Sequence, residues 1–316
     1  MQFSVEVEHL SKSYGSVKAV DDISFQVKTG SLFAFLGVNG AGKSTTINII
    51  CSILNKDAGR ITVCGHDLDT QNALIKNEIG IVFQSSVLDK QLTVKENLDI
   101  RASFYGLSRA ERKRNEERIV DLLSLEPILK RPVGQLSGGQ QRRVDIARAM
   151  VHSPRLLILD EPSTGLDPKT RLAVWGLIDT IRSETGMTVF LTTHYLEEAE
   201  KAGYVVIMDK GRIIAEGTPN ELKNRFSHDS LLSYMKRNEA FEQALTAHGY
   251  SFVYDRVKKA YRIVITGSEE AKLLMGKFDA FTTDVEIIKG TMDDVFLNVT
   301  GKKIGALGEN HADSKE

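Results

Sequence analysis

Ser31-Leu-Phe-Ala-Phe-Leu36 runs directly into Gly37-Val38-Asn39-Gly40-Ala41-Gly42-Lys43-Ser44-Thr45, and the reading of this stretch decides the fold. An apolar run of strand length ends in glycine. The residues that follow fit the spacing G-x-x-x-x-G-K-[ST], and Thr46–Leu54 then reads as a helix. Glycines let backbone N–H groups close around phosphate oxygens. The start of the helix adds the positive end of its dipole. Lys43 is then placed to reach the β- and γ-phosphates of a nucleotide, and the Ser44 hydroxyl to ligate Mg²⁺. A chain of this length matches the pattern by chance about once in a hundred at typical composition. The strand before it and the helix after it lower that further, so Mg-ATP binding is expected of this loop.

A second stretch supplies acid. Arg155-Leu-Leu-Ile-Leu-Asp160-Glu161 is a buried-strand pattern that ends in two carboxylates. Beside the phosphate loop, Asp160 can hold Mg²⁺, directly or through water, and Glu161 can polarise or deprotonate a water that attacks the γ-phosphate. Further strands are expected at Ile79–Phe83, Thr188–Thr192 and Val205–Met208, with helical patterns at Val144–Val151 and Leu172–Ser183 between them. Apolar runs without alternation suit a sheet covered on both faces. Strands alternating with helices make the core a mainly parallel α/β sheet. Phe3–Val7 and Ile23–Val27 alternate and read as half-exposed strands.

The remaining chain divides by pattern. The segment from about Ser85 to Arg131 reads as all-helical, with a charge run at Arg109–Arg118 that suits a solvated helix face. It is expected to be a helical subdomain inserted in the core. Gly217-Thr-Pro219 marks a loop. A smaller module follows, with strands expected at Phe252–Asp255 and Tyr261–Ile265 and helices near Glu239–His248 and Ser268–Phe278. Thr291 and Asp294 form a capping-box pattern with Asp in place of Glu, opening a last short helix. The polar tail from Lys302 is expected to be disordered.

Composition removes several function classes. With 316 residues, 41% hydrophobic and 26% charged, the chain suits one large and one small globular domain. A formal net charge of −1 argues against a nucleic-acid binder that relies on bulk positive charge. Cys51 and Cys64 lack metal-ligand spacing and read as buried thiols of a reducing compartment. The first residues have neither a basic start nor an apolar core, so no signal peptide is expected. No apolar run approaches the ~18 residues of a membrane span.

Leu136-Ser137-Gly138-Gly139-Gln140 then narrows the reading. It heads a helix, so Ser137 and the glycine N–H groups can also bind phosphate. Two phosphate-binding helix starts serve one nucleotide only if they face each other, which points to two chains meeting across ATP. Over about Phe3–Leu222 the set of motifs resembles the ATP-binding subunits of ABC transporters. The resemblance implies a P-loop NTPase core with a parallel sheet, an antiparallel β subdomain, an inserted helical subdomain at about 85–150, and a small C-terminal α+β domain. The ATP-binding domain is expected over 1–225, the accessory domain over 231–301 and the tail over 302–316.

The resemblance also assigns roles. Tyr14, in Lys12-Ser-Tyr-Gly15, would stack on adenine. Gln84, in Val82-Phe-Gln84, would touch Mg²⁺ and sense a membrane partner. Asp167, in Ser163-Thr-Gly-Leu-Asp167, would cross the dimer interface, and His194, in Leu191-Thr-Thr-His194, would contact the γ-phosphate. The catalytic set is thus Glu161, His194 and Lys43. The nucleotide-binding set is Tyr14, Gly37 to Thr45, Gln84, Ser137 to Gln140, Asp167 and His194, and the metal set is Ser44, Gln84 and Asp160. Val38 stands where proline is common in the family, and little effect is expected because it keeps its N–H. The ending Thr291-Met-Asp-Asp-Val-Phe-Leu-Asn-Val-Thr-Gly301 resembles that of drug-resistance-type exporter ATPases, whose permease is a separate chain. The implied protein is a transport-coupled ATP hydrolase, a homodimer with ATP shared across its interface. It would lie on the cytoplasmic face of the cell membrane, bound to an integral membrane permease and to no nucleic acid. The alternative is a soluble ABC-type ATPase, or a nucleotide-dependent regulator, outside transport.

Overall fold

The computed structural model describes residues 2–301, so the expected disorder of 302–316 lies outside the described residues. The chain divides into two compact units at Glu216/Gly217.

The first unit contains two sheets. In chain order its elements are β1 (Phe3–Tyr14), β2 (Val17–Lys28), β3 (Leu32–Leu36), α1 (Lys43–Ile50), β4 (Ala58–Val63), β5 (His66–Asp67), α2 (Asn72–Glu78), β6 (Ile79–Val82), α3 (Val94–Ser103), α4 (Arg109–Leu122), α5 (Gly138–Met150), β7 (Leu156–Asp160), α6 (Pro168–Thr185), β8 (Thr188–Thr193), α7 (Leu196–Ala199), β9 (Tyr204–Asp209) and β10 (Arg212–Gly217). The antiparallel sheet has the order β2-β1-β4-β5. The larger sheet has the order β10-β9-β3-β8-β7-β6, and β9, β3, β8, β7 and β6 run parallel. Every residue of β3, β7 and β8 is buried, as the unalternating apolar runs require. Phe25 from the antiparallel sheet stacks on Phe33 at 5.6 Å and lies 5.3 Å from Phe35, so the two sheets share one aromatic core.

The inserted segment differs from the sequence reading in one respect. Ser85–Leu92 is not helical, and helix begins only at α3, where Thr93 and Glu96 form a capping box. Local side-chain bonds hold the non-helical part instead. Asn97 Oδ1 accepts from the Asp89 N–H and its amide donates to the Asp89 carbonyl. Such contacts compete with helix and carry no hydrophobic period for a sequence to display.

The second unit starts with α8 (Pro219–Phe226), followed by β11 (Asp229–Tyr234), α9 (Glu239–Ala247), β12 (Phe252–Asp255), β13 (Ala260–Ile265), α10 (Ser268–Lys277), β14 (Val285–Ile288) and α11 (Met292–Thr300). Its antiparallel sheet has the order β12-β13-β11-β14, a β-α-β-β-α-β arrangement with the first and third strands central. Phe241, Leu245, Tyr261, Ile263 and Leu274 form its core. The Thr291–Asp294 cap is present in both directions, with the Asp294 N–H donating to Thr291 Oγ1 and the Thr291 N–H to Asp294 Oδ2. α8 packs with α11, and Asn298 Nδ2 donates to the Phe226 carbonyl at 2.8 Å.

Candidate functional site

The phosphate loop joins the end of β3 to the start of α1, and backbone crowding explains its glycines. A Cβ on Gly37 would lie 2.4 Å from the Met208 carbonyl oxygen. Gly42 adopts φ +108°, and a Cβ there would lie 2.3 Å from the Ala19 carbonyl oxygen. No side chain fits at either place. Gly42 is also the N-cap of α1 and supplies no capping side chain to the first-turn N–H groups. A helix start of this kind fits a phosphate group, which caps it from outside.

Lys43 is buried and folds back over the loop. Its ammonium donates to the Gly37 carbonyl at 2.7 Å and to the Val38 carbonyl at 3.1 Å, and lies 3.7 Å from Glu161 Oε1. Burial lowers its pKa, opposed by the Glu161 and Asp160 carboxylates.

Glu161 is the meeting point. Its backbone is left-handed at φ +46°, which costs a glutamate about 1 kcal/mol. Bonds on both sides hold it there. The Glu161 N–H donates to Thr192 Oγ1 at 3.0 Å and lies 3.2 Å from the Thr192 carbonyl oxygen. Thr192 Oγ1 in turn donates to Asp160 Oδ1 at 2.6 Å, tying the two acids of the strand end to β8. Around Glu161 Oε2 stand His194 Nδ1 at 3.2 Å, Thr164 Oγ1 at 2.9 Å and Gln84 Nε2 at 3.3 Å. The His194 imidazole at this distance above all holds the Glu161 carboxyl below its usual range, against the opposing effect of burial.

The arrangement also uses a residue that sequence reasoning missed. Arg142 of α5 is buried and donates to the carbonyl oxygens of Phe83 at 2.6 Å and Pro162 at 2.8 Å, and to those of Asp160 and Glu161 at 3.3 Å each. One guanidinium thus fixes the segment entering Gln84 against the turn that carries Glu161. A signal was available: counted from the Ser137 cap, Arg142 stands one turn before Ile146, on the helix face that is buried.

A metal ion at this site would depend on a mixed set of donors. Among the described residues no group of three or more His, Cys, Asp or Glu side chains is arranged to hold an ion alone. Ser44, Gln84 and Asp160 offer hydroxyl, amide and carboxylate oxygens. That is the donor type Mg²⁺ accepts when phosphates complete its shell.

The sequence-predicted residues separate into two groups. Lys43, Gln84, Glu161 and His194 converge, with Asp160 joined through Thr192. Ser137, Gly139, Gln140 and Asp167 line a different groove of about 410 Å³, and among the described residues no hydrogen bond or ion pair joins them to Lys43 or Ser44. Ser137 caps α5 in a box with Gln140. Asp167 caps α6, accepting from the Thr170 N–H at 3.0 Å. A Cβ on Gly139 would lie 2.5 Å from Thr170 Cγ2, so the two helix starts pack closely. Tyr14 ends β1 half-exposed, with Lys12 Nζ 5.9 Å from its ring centroid. Ser163 is fully buried with no hydrogen-bond partner for its hydroxyl.

The chain is similar to known proteins over most of its length. The family profile described as ABC transporter matches residues 20–164. The linearmycin resistance ATP-binding protein LnrL of Bacillus subtilis is 34% identical over 95% of this chain and 99% of its own length. The daunorubicin resistance ATP-binding protein DrrA3 of Streptomyces coeruleorubidus is 34% identical over 94% and 96%. The Nod factor export ATP-binding protein I of Sinorhizobium fredii is 33% identical over 95% and 87%. Among solved structures, cbiO1 of Clostridium perfringens, part of the ABC transporter complex cbiONQ, superposes with a TM-score of 0.66 at 30% identity, covering 70% of this chain and 91% of its own. The ATP-binding cassette MJ0796, solved as a dimer bound to ADP and Pi, gives 0.61 at 28% identity over 68% and 98%. The chain belongs to the ABC transporter family and is one of its ATP-hydrolysing cassettes.

Proposed function

We propose that this cassette is the ATPase subunit of an exporter, bound through a separate integral membrane permease to the cytoplasmic face of the cell membrane. Two copies close on two nucleotides. Each Mg-ATP lies between Gly37–Thr45 of one copy and Ser137–Gln140 of the other, with Tyr14 stacked on adenine and Asp167 at the interface. Closure is a population shift, because the nucleotide binds the closed pair better than separated chains. Hydrolysis lets the copies part, and the permease turns that motion into alternating access.

The observation that carries this reading is that the start of α5 lines a groove to which no residue of Gly37–Thr45 at the start of α1 contributes. A nucleotide bridging both requires a second copy, and the relative MJ0796 is a dimer. Export is supported by the resistance and export proteins, whose similarity runs through the C-terminal unit. None of the described helices is long and apolar enough to cross a membrane, which fits a permease on another chain.

In the site, Glu161 accepts a proton from the attacking water. His194 and Thr164 hold the carboxylate oxygen that does so. Lys43 steadies the phosphates, and Ser44, Gln84 and Asp160 would hold Mg²⁺. The ion supplies charge neutralisation at the β- and γ-phosphate oxygens. Purifying the protein from detergent-solubilised membranes and identifying what remains bound tests the assignment. A stoichiometric multispanning protein is expected, and recovery of ribosomes, DNA or the cassette alone contradicts it.

A further inference from the structure

His194 is positioned by more than its own contact with Glu161. The residue after it, Tyr195, packs against the imidazole with ring centroids 4.1 Å apart and the planes tilted by 39°. On Tyr195 lies the guanidinium of Arg171, 4.0 Å from the ring centroid. Arg171 belongs to the first turn of α6, and its N–H donates to the Asp167 carbonyl at 2.9 Å. One turn further along the same helix, the buried Trp175 Nε1 donates to Glu198 Oε1 at 3.1 Å. Glu198 Oε2 accepts from Thr193 Oγ1 at 2.6 Å, and Thr193 Oγ1 accepts from the Tyr195 N–H at 2.8 Å. α6 therefore grips the segment Thr193–Glu198 at two points: a cation on the Tyr195 ring, and an indole on the acid that ties the Thr193 hydroxyl.

We propose that Arg171 and Trp175 are positioning residues for His194, making the histidine follow the helix that Asp167 caps. Residues four apart on a helix face the same way, so both contacts shift together when α6 shifts. Tyr195 cannot leave its place without losing the Arg171 cation, and His194 rests on Tyr195. Arg171 has no carboxylate partner among the described residues, and its Nε is buried without a hydrogen bond, so the ring is what its charge faces. Nothing here requires Arg171 or Trp175 to touch nucleotide. They act through the histidine, on the hydrolysis that the family assignment establishes.

The test compares variants of the full chain that keep or remove each feature. Arg171→Met keeps the stem and removes the charge, while Arg171→Lys keeps a cation. Tyr195→Leu removes the ring, while Tyr195→Phe keeps it. Arg171→Met and Tyr195→Leu are expected to lower kcat for ATP about tenfold with KM changed less than about twofold. The two conservative variants should retain most of the parent kcat, and all four should melt near the parent temperature. A normal kcat in Arg171→Met or Tyr195→Leu overturns the proposal. So does a loss that the conservative variants share equally, or one matched by a rise in KM or a fall in melting temperature. Should Arg171→Met not fold, Trp175→Phe, which keeps an aromatic ring and removes the N–H that Glu198 accepts, decides in its place: a lowered kcat with KM and melting temperature held supports the proposal, and an unchanged kcat overturns it.

Discussion

His194 Nδ1 lies 3.2 Å from Glu161 Oε2, and the same carboxylate oxygen accepts from the Thr164 hydroxyl at 2.9 Å. Both contacts favour the ionised form of Glu161, which keeps its carboxyl below the ordinary range despite burial. A carboxylate base works above its pKa and is lost as pH falls through it. Removing one donor therefore raises the pKa and moves the acid limb of the rate profile to higher pH. Thr164→Val, which keeps the shape and deletes the hydroxyl, should show this shift in kcat measured between about pH 4 and 8. An acid limb identical to the parent's separates Thr164 from the group that sets that limb.

Arg142 should matter to stability before chemistry. Arg142→Met leaves the carbonyls of Phe83, Asp160, Glu161 and Pro162 without their shared donor. The expected loss is about 2–4 kcal/mol, because a buried acceptor left unsatisfied costs more than the net worth of its bond, although the Glu161 carbonyl keeps the Thr164 N–H. Urea unfolding followed by circular dichroism measures it. A midpoint unchanged from the parent means the guanidinium is not the clamp its contacts describe.

Two glycines of the phosphate loop share a positive φ and differ in space. Gly40, at φ +80°, has nothing within 4 Å of a built Cβ, whereas at Gly42 the Ala19 carbonyl oxygen lies 2.3 Å away. Gly40→Ala meets only the backbone penalty of about 1 kcal/mol, roughly fivefold in affinity. Gly42→Ala must also displace the loop, so its loss of ATP binding should exceed that of Gly40→Ala by about tenfold or more. Equilibrium binding of a fluorescent ATP analogue ranks the two. Equal losses would mean the crowding at Gly42 does not shape the cradle.

Legibility in the sequence followed physical type. β3, β7, β8 and β9 were readable because unbroken apolar runs of strand length have few other uses, and α9, α10, β12 and β13 because their periods were clear. β4, β5, β10, β11 and β14 were not singled out. β5 and β14 are very short, and β4 and β10 bury only part of their residues, so no run or strict alternation marks them. At the site, Lys43, Asp160 and Glu161 could be singled out in the sequence because the chemistry proposed for them is tied to local spacing, and the structure brings them together. Thr192, Thr164 and the Arg171–Tyr195 contact were not. Thr192 and the Arg171–Tyr195 contact depend on the approach of segments distant in sequence. Thr164 lies only three residues from Glu161, but its contact depends on the left-handed turn at Glu161, and a threonine or arginine carries no local sign of its partner.

Glu161→Gln keeps size and hydrogen-bonding capacity but cannot take a proton. Turnover should fall by about a hundredfold or more while ATP binding stays near normal. With hydrolysis blocked, the closed pair should accumulate and elute as a dimer in Mg-ATP by size exclusion. Near-normal hydrolysis by this variant removes Glu161 from its role.

The shared site is the centre of the account, and one measurement addresses it most directly. Lys43→Ala damages the loop-side wall, and Ser137→Arg places a bulky charge on the signature-side wall, so a homodimer of either variant has two damaged sites. A mixed dimer gathers both lesions into one site and leaves the other with an intact Lys43 and an intact Ser137. Nucleotide trapping by verified mixed dimers should therefore exceed that of either parent, towards half the unmodified level. The double variant Lys43→Ala, Ser137→Arg mixed with itself should restore nothing. Mixed dimers that trap no more nucleotide than their parents would contradict a site built from two chains.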